Sequence, residues 1–88
     1  MQTTEPLSNV TARVRELAAA HAGIGAAAVA ALGDADSLYD AGMNSHASVN
    51  LMLALEGDLG IEFPNRLLTR SVFTSIASIA AAIEQVLG

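Results

Sequence analysis

The stretch GMNSHASVNLMLALEGDLGIEFP, Gly42 to Pro64, decides the fold. Between Ser45 and Leu59 the residues Leu51, Met52, Leu55 and Leu59 fall within about one-third of a turn on a helical wheel, the core stripe of an amphipathic helix. Gly60 stops that helix, and the Phe63-Pro64 pair keeps the following backbone extended. Pro64 suits the first turn of a short helix over Asn65–Thr69.

Working outward, Ser71, Thr74 and Ser75 each offer an N-cap to a last helix, whose buried face is Ile76, Ile79, Ala80, Ile83 and either Val86 or Leu87. Upstream, Leu7, Val10, Val14, Leu17, Ala18 and His21 recur at helical spacing while Arg13, Arg15 and Glu16 turn away. That pattern predicts a first helix over 7–21, broken by Gly23 and Gly25. Residues 26–43 read mainly as a long connection with one helical turn around Ser37 to Asp40; any helix at its alanine-rich start ends by Leu32. A connection of this length carries function or its own packing, with Leu32, Leu38, Tyr39 and Met43 as anchors. No alternation of period two occurs. The fold class is all-α: three main helices plus one short helix, with a long loop after the first. Residues 1–6 read as a flexible N-terminus and 7–88 as one domain.

The inventory of 88 residues narrows the function. With 52% apolar residues the chain is expected to be globular, though a domain of this size has a thin stability margin. Four basic and nine acidic residues give a net charge of −5, and there is no lysine, so a phosphate backbone finds no cationic patch: no nucleic acid is expected as a partner. The absence of cysteine removes disulfides and thiolate chemistry. Arg13 and Arg15 before the apolar run Leu17–Leu32 have the order of a signal peptide, but His21, Gly23, Gly25 and Glu16 interrupt it and alanine supplies its apolarity. No membrane association is expected, and the compartment read from these features is cytoplasmic.

The helix beginning at Ser45 has an apolar surplus. Val49 and Leu53 lie roughly 90–140° from the centre of its core stripe, with Ser45 beside Val49 and His46 beside Leu53. Either the helix is buried around most of its circumference, or these residues form an exposed face for a partner, next to a hydroxyl. Ser45 is an ordinary N-cap on one reading. It is not a triad nucleophile, because GMNSHAS lacks the G-x-S-x-G elbow and neighbouring side chains diverge on a helix. His21, His46 and the carboxylates Asp34, Asp36 and Asp40 match no metal-binding spacing, so no catalytic and no metal residue is assigned.

The order of elements around Gly42-Met43-Asn44-Ser45 resembles the acyl carrier protein family from about Val10 to Leu87. Ser45, Val49, Leu51, Met52, Leu53, Leu55, Leu59, Ile61, Glu62, Phe63 and Pro64 stand at family offsets or conservative variants of them. The resemblance implies a carrier domain over 7–88 with 4′-phosphopantetheine on Ser45, flanked by Asn44 and His46 where the family usually has Asp and Leu. Val49, Leu53 and Leu68 are then the anchors for partners. GMNSHASVNLMLALE looks closest to the stand-alone aminoacyl carriers charged by ligases that resemble truncated seryl-tRNA synthetases.

That narrower resemblance implies a monomeric, non-enzymatic carrier with three kinds of partner. These are a phosphopantetheinyl transferase, an amino acid:carrier protein ligase and a downstream acceptor enzyme. The load is a small amino acid, glycine or alanine favoured, left exposed on its arm. An acyl carrier of fatty-acid or polyketide synthesis and an unmodified helical interaction module are the alternatives. Fatty-acid enzymes dock on an acidic second helix, whereas here that helix keeps only Glu56 and Asp58.

Overall fold

The computed structural model describes residues 6–88. Helix α1 (Pro6–His21) opens on a proline, whose missing N–H would be unpaired there in any case. Of the expected N-terminal segment 1–6, residues 1–5 lie outside the described residues. Val10, Val14 and Ala18 carry the buried face of α1. His21 was expected on that face and is exposed instead, while Ala22, bonded through its N–H to the Ala18 carbonyl at 2.9 Å, takes the buried position. An imidazole there would lose its hydration without a partner, and a methyl group loses nothing.

The stretch read mainly as a connection contains a second helix, α2 (Ala26–Ala31), which ends at Leu32 as its propensity required. Only Val29 of its six residues is buried, so no apolar period marked it. Its C-terminal end is held by Arg15 of α1, which donates to the carbonyls of Val29 (2.7 Å) and Leu32 (2.9 Å) and pairs with Asp34. A cation at the last turn satisfies carbonyls that have no helical partner and opposes the negative end of the dipole. The expected single turn is present, with the Ala41 N–H bonded to the Ser37 carbonyl at 3.2 Å. Leu38 is fully buried and Met43 nearly so, whereas Leu32 and Tyr39 pack at the edge of the core. The Leu38 N–H reaches Thr74 O at 2.7 Å and the Ala77 N–H reaches Asp34 O at 2.8 Å, stitching this connection to the far end of the chain.

Helix α3 (Ser45–Leu59) buries Leu51 and Leu55 and sets Met52 and Leu59 at the margin of the core. It ends at Gly60, whose φ of 65° is left-handed and whose N–H bonds to the Glu56 carbonyl. That cap strongly favours glycine. Gly57 has no such duty: a methyl group on it would meet open space. Gly57→Ala is therefore expected to stabilise the fold by about 0.5–1 kcal/mol, read as a higher denaturation midpoint.

The short helix expected over Asn65–Thr69 is a single 3₁₀ turn, Asn65–Leu67, and a second, unexpected one, Val72–Thr74, follows it. Hydroxyls shape this segment: Thr69 Oγ1 accepts from the Val72 N–H (3.2 Å) and Thr74 Oγ1 donates to Arg70 O (2.8 Å). Such local bonds compete with a continuous helix, and the two turns bury Leu67 and Phe73 in its place. Phe73 meets Phe63 edge to face at 5.5 Å. Of the three candidate caps of the last helix, α4 (Ile76–Leu87), Ser75 serves, in a reciprocal capping box with Ser78. Val86 packs against the core and Leu87 is exposed, which resolves that alternative. Helix α1 packs on α2, α3 and α4, giving the all-α bundle. Among the described residues no strand occurs, and no helix is long and apolar enough to cross a membrane.

Candidate functional site: the serine that opens α3

The approach to α3 turns at Gly42, with φ of 119° and a Cβ position only 3.3 Å from the Ile24 side chain. A larger residue would be strained there and would press on Ile24. Buried Met43 then anchors the chain, and Asn44 caps the helix, its side-chain oxygen accepting the Ala47 N–H at 2.8 Å. The capping role allowed for Ser45 thus belongs to Asn44, and Ser45 is the first residue inside the helix. Its side chain is exposed.

The five other serine hydroxyls from residue 9 onward are all engaged. Ser37 accepts the Asp40 N–H, Ser48 donates to Ser45 O at 2.8 Å, Ser71 meets Thr69, and Ser75 and Ser78 form the capping box. Among the described residues, the Ser45 hydroxyl has no hydrogen-bond partner, and neither do the N–H groups of Ser45 and His46. Unpaired N–H groups at the positive end of a 15-residue helix suit an anion attached at this point.

Ser45 opens on a cleft of about 400 Å³ lined by Tyr39, Ser48, Val49, Met52, Leu68, Thr69, Arg70 and Phe73. Val49 and Leu68 are exposed at 49% and 42%, and Leu53, one turn further along the same face of α3, at 55%. The apolar surplus of α3 is thus an outward face, not a second buried side. The structure places Ser45, Val49 and Leu68 at one cleft; His46 is exposed and does not line it.

The two acids of α3 are bound within the molecule. Glu56 accepts the Phe63 N–H at 2.8 Å, fixing the Phe-Pro turn, and Asp58 takes a hydrogen-bonded pair of contacts from Arg13. The Arg13 guanidinium holds the Asp58 carboxyl below the usual carboxylate range. Among the described residues no group of three His, Asp or Glu side chains is placed to hold a metal ion.

Of the residues that line the cleft, Tyr39, Ser48, Met52, Thr69, Arg70 and Phe73 were not read as site residues, and Tyr39 and Arg70 form a pair among them. Tyr39, expected as an anchor of the 26–43 connection, does pack against the edge of the core, and it also lines the cleft, with the Arg70 guanidinium carbon 3.8 Å over its ring centroid. Arg70 belongs to no periodic pattern; being one of only four cations was its single distinguishing mark.

A helical bundle that offers an unbonded serine hydroxyl at a helix start, flanked by exposed apolar side chains, has the construction of a carrier protein. The chain belongs to the phosphopantetheine attachment site family, whose pattern matches residues 12–86, and the cofactor of that family is 4′-phosphopantetheine. It is 45% identical over 56 residues to an aminoacyl carrier protein of Agrobacterium fabrum, covering 64% of this chain and 68% of the relative. Its fold is similar to that of a chain in the crystal structure of engineered Bradyrhizobium japonicum glycine:[carrier protein] ligase complexed with carrier protein from Agrobacterium tumefaciens and AMP. The TM-score is 0.77 at 38% identity, over 84% of this chain and 97% of the other. A solution structure from Agrobacterium tumefaciens matches with a TM-score of 0.70 at 38% identity, over 88% and 92%.

Proposed function

We propose that Ser45 carries the 4′-phosphopantetheine of this carrier and that the chain, catalysing nothing itself, holds a small amino acid on it. The observation that carries this reading is the unbonded Ser45 hydroxyl in a chain of the phosphopantetheine attachment family. The arm supplies a thiol, which takes the amino acid as a thioester from an adenylate made by a separate ligase, glycine or alanine favoured. The aminoacyl assignment is supported by the relative of Agrobacterium fabrum and by the likeness to a carrier solved with a glycine:[carrier protein] ligase.

The protein's own part is mechanical. Asn44 and the Gly42 turn fix the start of α3, and the helix terminus favours the phosphodiester there. Val49, Leu53 and Leu68 give the ligase, the phosphopantetheinyl transferase and the acceptor enzyme an apolar foothold. The test is competition between loading routes. Holo-protein given amino acid, ATP and the synthetase-like ligase gains the aminoacyl mass, and holo-protein given malonyl-CoA and a transacylase does not; loading by the second route alone makes it a fatty-acid or polyketide carrier instead.

Docking is expected to be apolar more than ionic, because of the two carboxylates of α3 Asp58 is paired with Arg13 and Glu56 is turned towards the Phe63 N–H. Leu53→Glu places a charge on a face that would be desolvated in the complex, and is expected to weaken ligase binding by roughly tenfold or more. Calorimetry at low and high salt checks this: wild-type affinity changes little with salt, and Leu53→Glu binds weakly at both.

A further inference from the structure

We propose that Arg70 is a positioning residue for the arm: its guanidinium holds the phosphodiester on Ser45 against the rim of the cleft. This rests on Ser45 being the attachment point.

The argument begins with how the four cations are used. Arg13 is committed to Glu16 and Asp58, and Arg15 to Asp34 and two carbonyls. Arg66 donates to the Gln85 amide on another part of the surface. Among the described residues, the Arg70 guanidinium alone has no hydrogen-bonded partner, and it lies on the wall of the cleft into which Ser45 opens.

Its placement is not left to a wandering side chain. The Arg70 carbonyl accepts the Phe73 N–H at 3.1 Å and the Thr74 hydroxyl at 2.8 Å, so the backbone beneath it is pinned from two directions. The guanidinium carbon lies 3.8 Å over the centre of the Tyr39 ring, a height that suits a guanidinium laid flat on the ring face. Stacking on a ring face engages the flat side of the group and leaves the N–H edge available. That edge is a planar fork of donors matched to the paired oxygens of a phosphodiester. The helix terminus contributes a second set of donors, the free N–H groups of Ser45 and His46. An anion at Ser45 is then gripped from both sides. In a chain of net charge −5, no other cation stands on that cleft.

With the arm's root held in this way, the direction in which the thiol end leaves the protein is restricted towards Val49 and Leu68, the face offered to partners. The tyrosine serves as the bed on which the fork is laid.

The test uses holo-protein prepared with coenzyme A and a transferase, as wild type, Arg70→Gln, Arg70→Lys and Tyr39→Leu. Mass spectrometry first establishes the phosphopantetheine increment, and phosphorus NMR then reads the phosphodiester. The expected result is a shifted resonance in Arg70→Gln, an intermediate position in Arg70→Lys, which keeps charge but loses the fork, and partial loss in Tyr39→Leu. The Arg70 Nε–Hε resonance of wild type moves on conversion from apo to holo. An identical phosphorus resonance in wild type and Arg70→Gln, with the Nε–Hε signal unmoved, overturns the proposal. A failure of the attachment reading looks different: wild type gains no increment, or Ser45→Ala still gains one.

Discussion

Ser45→Ala is expected to abolish modification: treated with coenzyme A and a phosphopantetheinyl transferase, wild type gains one phosphopantetheinyl group by mass and the variant gains none. The effect is expected to be all-or-none because Ser45 alone opens a helix on the cleft with its hydroxyl unbonded, while Ser37, Ser48, Ser71, Ser75 and Ser78 are already donors or acceptors in the fold. Ser48 is the instructive control. It lies one turn along α3 on the same cleft, but its hydroxyl is turned back onto the Ser45 carbonyl at 2.8 Å. Ser48→Ala keeps the increment. Neither change should disturb the fold: Asn44 retains the cap, Ser45 is exposed, where substitutions usually stay within about 0.5 kcal/mol, and half-buried Ser48 loses only a local bond to the Ser45 carbonyl. An increment lost in Ser48→Ala and kept in Ser45→Ala would move the attachment point by a turn.

The largest stability effect belongs to Leu55→Ala. Leu55 is fully buried, and it ties the helix that presents Ser45 to the shared core. Truncating it removes the transfer energy of the side chain and leaves a cavity, together about 2–5 kcal/mol. A chain of 88 residues has only about 4–13 kcal/mol to lose. The variant is expected to unfold at a much lower denaturant concentration, and the lower end of that range would put it close to unfolding at ambient temperature. Leu53→Ala, two residues away and 55% exposed, is expected to shift the midpoint by little. Equal midpoints for the two variants would mean that α3 is not anchored through its Leu51/Leu55 stripe.

The sequence revealed the three long helices because each buries a face at helical spacing: Val10, Val14 and Ala18; Leu51 and Leu55; Ile76, Ile79, Ala80 and Ile83. It did not reveal α2, whose identity depends on alanine propensity and on a clamp from Arg15 that no local pattern contains. The paired 3₁₀ turns were missed for a related reason, since three residues cannot display a period and hydroxyl bonds at Thr69 and Thr74 set their limits. At the site, Ser45, Val49 and Leu53 were picked out by the motif and the apolar surplus of their helix, and Leu68 by the resemblance; the structure sets the three apolar residues outward, and their part in binding is the proposal made above. The division of labour between Asn44 and Ser45 was not legible, because both residue types make good caps and only the backbone conformation at Asn44 decides between them. Arg70 and Tyr39 are far apart in sequence and meet only after the 33–43 connection is stitched to Thr74 and Ala77.

The inward commitment of Glu56 and Asp58 has a consequence for traffic among carriers. Enzymes that find acyl carriers by a basic patch read an acidic second helix, and beyond a Debye length of about 8 Å charges elsewhere on the molecule are screened at physiological salt. A chain of net charge −5 would look to such enzymes, by its total charge, like a suitable client. By the helix that opens with Ser45 it is nearly mute, its carboxylates being spent on Phe63 and Arg13. On the function proposed above, enzymes that dock through a basic patch are expected to bind this carrier weakly, because Arg13 neutralises Asp58 and Glu56 is turned towards the Phe63 N–H.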